Sequence, residues 1–104
     1  MSYRKKAAIE WTPGALSDLE SIAAHIAADS PAAAARLIET LMARVDQLEL
    51  FPESGAEVPE KPGTRLRQLV EGSYRIVYRP GPGTVQILAV IHGRRAAGPL
   101  IGSG

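Results

Sequence analysis

Between Arg65 and Arg95 the chain reads RLRQLVEGSYRIVYRPGPGTVQILAVIHGRR, and this stretch limits the possible folds more than any other. It holds three apolar runs, residues 66–70, 74–78 and 85–91, short and rich in β-branched and aromatic side chains. They are separated only by Glu71-Gly72-Ser73 and by Pro80-Gly81-Pro82-Gly83-Thr84. Parallel neighbours need a crossover of about a dozen residues or more, which these linkers cannot supply. Two consecutive hairpins follow, forming a three-stranded antiparallel meander. In the middle run Tyr74, Ile76 and Tyr78 alternate with Arg75, Val77 and Arg79. Side chains alternate between faces with period two, so one face is expected to be core and the other, bearing the arginines, wet.

Upstream the pattern is helical. Residues 7–11 alternate weakly, as a short first strand would, and end at Thr12-Pro13, a capping residue followed by a proline suited to the first helical position. Leu16, Leu19, Ile22, Ala23 and Ile26 then recur at spacings of three and four, with Ser17, Asp18, Glu20, Ser21 and His25 on the other side. Asp29-Ser30-Pro31 repeats the start signal. A second stripe runs through Leu37, Ile38, Leu41, Met42, Val45 and Leu48 and ends near Phe51-Pro52, since proline disfavours helical geometry in the residue before it. Residues 52–64 form a turn-rich surface loop.

A helix with one apolar stripe must bury it against something. The expected fold is therefore a two-layer α+β domain of order β-α-α-β-β-β, an antiparallel sheet covered on one face by a helical hairpin. Leu16, Leu19, Ile22, Ile26, Leu37, Ile38, Leu41, Val45 and Leu48 should pack on Ile76 and on Leu88 or Ile87. The first strand belongs at the edge of the sheet or beside the last strand; periodicity does not choose between these. At 104 residues the chain has room for one core, assigned to residues 1–95, with residues 96–104 expected to form a flexible tail.

Charge is unevenly distributed. Residues 1–60 carry five Lys/Arg against ten Asp/Glu, a balance of −5, and residues 61–104 carry seven against one, a balance of +6. A basic meander attracts nucleic acid or an acidic protein segment, although exposed arginines on a sheet also serve solubility and discourage edge pairing. There is no cysteine, so neither a disulfide framework nor a thiolate site exists. The run after Met1-Ser2-Tyr3-Arg4-Lys5-Lys6 is too short for a signal peptide or a membrane span, which points to a cytoplasmic protein. No Ser-His-Asp arrangement, paired-carboxylate site, phosphate-binding glycine loop or metal spacing is visible, and no cofactor or metal is expected.

Several stretches together resemble the ParE branch of the RelE/ParE toxin superfamily. They are Arg67-Gln68-Leu69, the run from Gly72 through Ser73, Tyr74, Arg75, Ile76, Val77 and Tyr78 to Arg79, and the run Val85-Gln86-Ile87-Leu88-Ala89-Val90-Ile91-His92-Gly93-Arg94-Arg95. Trp11-Thr12, Asp18-Leu19, Ser30-Pro31, Ala34-Ala35-Arg36 and Phe51-Pro52 with Gly55 agree with that family's helical hairpin and loop. The resemblance implies the toxin of a type II toxin–antitoxin module, neutralised by a cognate antitoxin of ParD-like or similar type with an acidic C-terminal segment, and meeting operator DNA only through it.

The superfamily holds two chemistries. Members resembling RelE cut messenger RNA on the ribosome, which requires a proton acceptor, a donor for the leaving oxygen and cations over the phosphate. Here that set would be His92, Arg75, Arg79 and Arg94, with Tyr74 or Tyr78 as donor, although both tyrosines share a face with Ile76 and suit the core better than chemistry. The lysine pair of such members has no counterpart, Lys61 standing alone, and no tyrosine or histidine follows Arg95. The His-Gly-Arg-Arg ending resembles instead the ParE-like group, linked to inhibition of DNA gyrase without enzymatic activity. Arg67, Arg75, Arg79, His92, Arg94 and Arg95 are the expected target or antitoxin contacts. The alternatives are an endoribonuclease of RelE type and a degenerate module that only binds its antitoxin.

Overall fold

The structure is a computed structural model and describes residues 6–93. Strand β1 (Ala8–Trp11) leads into helices α1 (Pro13–Ala27) and α2 (Pro31–Asp46), then a 3-10 turn (Gln47–Glu49) and strands β2 (Ala56–Glu57), β3 (Arg67–Glu71), β4 (Tyr74–Gly81) and β5 (Thr84–His92). Both helices start as their capping signals require. The Thr12 hydroxyl accepts from the Ala15 N–H at 3.2 Å and itself donates to the Ile87 carbonyl at 2.8 Å, tying the start of α1 to the sheet. Ser30 accepts from the Ala33 N–H at 3.1 Å, and a proline opens each helix. α2 ends earlier than Phe51-Pro52; the 3-10 turn completes the stripe and carries the fully buried Leu48.

The meander forms as its linkers dictate. Glu71 pairs with Tyr74 across a two-residue turn in which Gly72 takes φ of 57°, and Gly81 pairs with Thr84 across Pro82-Gly83, where Gly83 takes φ of 72°. Positive φ is cheap only for glycine, so these two positions set the hairpins. The sheet order is β1-β5-β4-β3-β2. It is mixed rather than antiparallel throughout: β1 lies beside the last strand, at the edge, and runs parallel to it. The chain reaches that parallel position through the whole helical hairpin and meander, a connection long enough for either orientation. β2 is a fifth, two-residue strand where a loop was expected.

Helices cover one face. Leu41, Val45 and Leu48 of the second stripe bury fully against Ile76, Tyr78, Val85 and Ile87, with Leu19, Ile22 and Leu37 packed more loosely around them. The first stripe is displaced by one residue at its start. Ala15 is the buried residue and Leu16 is 45% exposed, the start of α1 being fixed on β5 by the Thr12 bond to Ile87. Ile87, not Leu88, is the β5 contact. Val77 pairs with Ala89 and Tyr78 with Ile87, so Leu88 is the extra residue of a β-bulge. Beyond the end of β1 the Val90 N–H donates to the Asp18 carboxylate at 3.0 Å, which places Asp18 against the sheet rather than on the polar side of its helix.

The opposite face is not simply wet. Residues 58–66 pass from the β2 edge over it, and Val58 and Leu66 close a second, smaller core with Val77, Ala89 and Ile91. At the far end of β3, where β2 no longer pairs, Arg44 of α2 occupies the strand edge: its guanidinium meets Glu71 at 3.3 Å and donates to the Val70 carbonyl at 3.3 Å. A guanidinium on a free edge discourages pairing with another chain.

Candidate functional site

Of the six residues singled out from the sequence, the four that the structure describes fall into separate environments. Arg75 is only 8% exposed. It reaches Glu60 in a two-pronged ion pair, at 3.0 Å and 2.8 Å, and donates to Gln68 at 2.9 Å, so it fastens the covering segment to the outer face. Arg67, across from Tyr78 on the helix-covered face, donates to the Gly55 carbonyl at 2.7 Å and lies 3.8 Å from the Glu53 carboxylate. Arg79 is exposed on the outer face. His92 is exposed at the end of β5 and stands edge-on to Tyr74, ring centroids 5.8 Å apart. Arg94 and Arg95, like the tail 96–104, lie outside the described residues.

These positions do not converge. His92 pairs with Tyr74 and so shares its face, whereas Arg75 and Arg79 point to the other side of the sheet. Tyr74 and Arg79 stand five residues apart on β4, roughly 17 Å at about 3.3 Å per residue. Among the described residues, then, no single surface presents His92 together with Arg75 and Arg79. Tyr78 is not placed as a proton donor to a substrate either. It is fully buried, its hydroxyl accepts from the Gly55 N–H at 2.8 Å, and burial raises its phenol above the ordinary tyrosine range against the opposing effects of Gly55 and Arg67. His25 is exposed on α1, as expected.

What the structure does bring together is a polar cleft at the β4–β5 hairpin. On the outer face Arg79 of β4 pairs with Gln86 of β5, which pairs with Glu10 of β1, making a row across three strands. Gln86 donates to the Glu10 carboxylate at 3.3 Å. Arg65, just before β3, joins from the other side and donates to the Pro80 carbonyl at 3.4 Å. These four residues line a cleft of about 390 Å³. Arg65, Pro80 and Gly81 also line a second, adjoining cleft of about 310 Å³ with Glu53, Glu57 and Arg67. Sequence reasoning flagged Arg67 and Arg79 but missed Arg65, Glu10, Gln86 and Glu60. Only the opposite signs of the two halves hinted that the acidic part would supply partners for the basic one. Among the described residues no group of three or more His, Asp or Glu side chains could hold a metal ion, and no helix is long and apolar enough to cross a membrane.

Comparison with known proteins places these features in context. The family model described as ParE toxin of type II toxin-antitoxin system, parDE, matches residues 9–97. A protein of Sinorhizobium fredii named "Putative toxin Y4kP" is 40% identical over 88 residues, covering 81% of this chain and 85% of that protein. Among solved structures, a chain of the chromosomal ParDE system from P. aeruginosa superposes with a TM-score of 0.69 at 22% identity, covering 84% of this chain and 96% of that one. A chain of the RelBE2 toxin–antitoxin complex from Mycobacterium tuberculosis superposes with a TM-score of 0.60, also at 22% identity, covering 92% and 99%. The two structural likenesses establish a shared fold.

Proposed function

The chain belongs to the ParE toxin family of type II toxin–antitoxin systems, and from that premise we propose that it acts by binding DNA gyrase, without cutting RNA. In this reading a cognate antitoxin with an acidic C-terminal segment holds it inactive, and it meets operator DNA only through that antitoxin. The observation that carries the choice of target is the scattering of His92, Arg75 and Arg79 over two faces and both ends of the sheet. General acid–base cleavage of a phosphodiester needs donor, acceptor and cation within hydrogen-bond reach of one phosphate. Poisoning by binding needs only a surface. The burial of Tyr78 and the engagement of Arg75 with Glu60 support the same reading, since both groups are committed to the fold.

The decisive experiment is brief expression of the toxin with simultaneous readout of plasmid topology and messenger integrity. Loss of negative supercoiling with accumulation of cleaved DNA, both prevented by co-expressed antitoxin, is the expected result. Messenger RNA cut within translated codons while supercoiling stays normal would overturn it in favour of the endoribonuclease.

A further inference from the structure

The cleft at the β4–β5 hairpin has an ordered charge pattern that gives one of the expected contacts, Arg79, definite neighbours. Arg65 and Arg79 sit at one end of it, Gln86 in the middle and Glu10 at the other end. Among the described residues the Arg79 side chain has no hydrogen-bond or ion-pair partner, and the Arg65 side chain is engaged only through the long contact to the Pro80 carbonyl. Two guanidiniums with donors to spare on one concave wall suit a carboxylate or a phosphate. What decides between these is the surroundings. Glu10 closes one end, and the adjoining cleft beyond Arg65 carries Glu57. A nucleic-acid backbone bears a charge at every step and would run into a carboxylate in either direction. A peptide can place a single acidic side chain between the arginines and a basic one elsewhere.

We propose that Arg65 and Arg79 form a notch for one carboxylate of an extended partner peptide, and that Glu10 receives a basic side chain next to it in the same peptide. Adjacent strands lie about 4.8 Å apart, so Arg79 on β4 and Glu10 on β1 are separated by about 10 Å. Residues i and i+2 of an extended chain lie about 7 Å apart on one side, and a lysine or arginine side chain spans the remainder. The notch thus reads an acidic residue followed or preceded two positions away by a basic one. For the source of the peptide this rests on the proposed antitoxin.

The test uses the full-length toxin and the antitoxin encoded beside it, with affinity and association kinetics measured for Arg65→Glu, Arg79→Glu and, on the exposed side of α2, Arg36→Glu. The expected result is that the first two weaken binding at least tenfold, with unchanged circular dichroism and melting, while the third binds like the parent. Reversing one acidic residue of the antitoxin to lysine should then restore binding to Arg79→Glu. If charge reversal unfolds the chain, Arg79→Gln carries the same expectation without adding a negative charge. Binding by Arg65→Glu and Arg79→Glu within threefold of the parent overturns the notch and leaves the antitoxin reading standing. Equal losses in all three variants overturn it too, by showing general attraction instead of a site. A parent toxin that does not bind the antitoxin at all removes both readings. Arg79-dependent binding of a single-stranded oligonucleotide, with antitoxin binding unaffected by the substitution, makes the site one for phosphate and likewise overturns the proposal.

Discussion

At the scale of single residues, the tightest of the described glycines is Gly55, against Tyr78. A Cβ there would lie 2.5 Å from the Tyr78 hydroxyl and 2.6 Å from the Gln68 carbonyl, neither of which can retreat. Gly55→Ala should therefore cost at least about 1–3 kcal/mol as overpacking, visible as a lowered melting temperature. Gly14 has no such neighbour, the nearest atom to its Cβ being 3.9 Å away, and Gly14→Ala should stabilise by about 0.4–1 kcal/mol through the unfolded chain. Tyr78 adds a pH dependence. Its phenol is raised above its unfolded value by burial, so the stability it contributes is complete below about pH 10 and is lost as pH rises through the folded value. Alkaline melts of the parent and of Tyr78→Phe should converge as that happens. Arg75 and Arg79 look equivalent in sequence, two arginines at period two on one strand, yet they should behave oppositely. Arg75→Gln removes the two-pronged ion pair with Glu60 from a buried position and should cost about 1–3 kcal/mol, whereas Arg79→Gln should leave the melting temperature within experimental error. If both were neutral, the Glu60 pair would not be holding the covering segment.

At the scale of elements, what could be read beforehand was whatever the chain encodes locally. Thr12-Pro13 and Ser30-Pro31 announce helix starts, Gly72 and Gly83 supply the positive φ of two hairpins, and the second helical stripe points at the core. The features that escaped depend on distant pairing. β2 is two residues long and exists only because Gln68 and Arg67 lie opposite it. The parallel direction of β1 is set by a partner some seventy-six residues away, and the bulge at Leu88 by how β4 and β5 settle their register. The second core was hidden for the same reason: Val58 stands alone among prolines, glycines and charges, so no period marks it as buried. Two substitutions separate the two cores. Leu41→Ala, under the helices, should cost about 2–5 kcal/mol and lower global stability. Val58→Ala removes two carbons worth about 0.8 kcal/mol each plus the cavity left behind, and it should loosen chiefly residues 52–66. Hydrogen exchange would check this: faster exchange confined to that segment and β2 is expected, and uniform loss of protection would show that the two faces unfold as one unit.

For the whole molecule the governing fact is the separation of charge along the chain, −5 in residues 1–60 against +6 in residues 61–104. Folding neutralises part of that opposition internally, in Arg75 with Glu60 and Arg67 with Glu53. These pairs explain why only some of the candidate contacts flagged from sequence remain available: pairing consumed Arg75, while Arg79 and the unflagged Arg65 were left at the open cleft. A surface that keeps an excess positive field steers an acidic partner during encounter, and such steering acts on the association rate far more than on the dissociation rate. At about 0.15 M salt exposed charges more than roughly 8 Å apart are largely screened. Binding of the antitoxin should therefore slow in association, at least several-fold, between low and high salt, while its dissociation rate changes little, because apolar burial supplies most of the affinity. Stopped-flow mixing across a salt series is the measurement. Association that is insensitive to salt would mean that the residual charge of the sheet faces away from the antitoxin, and the basic half would then have to be explained by the proposed gyrase contact alone.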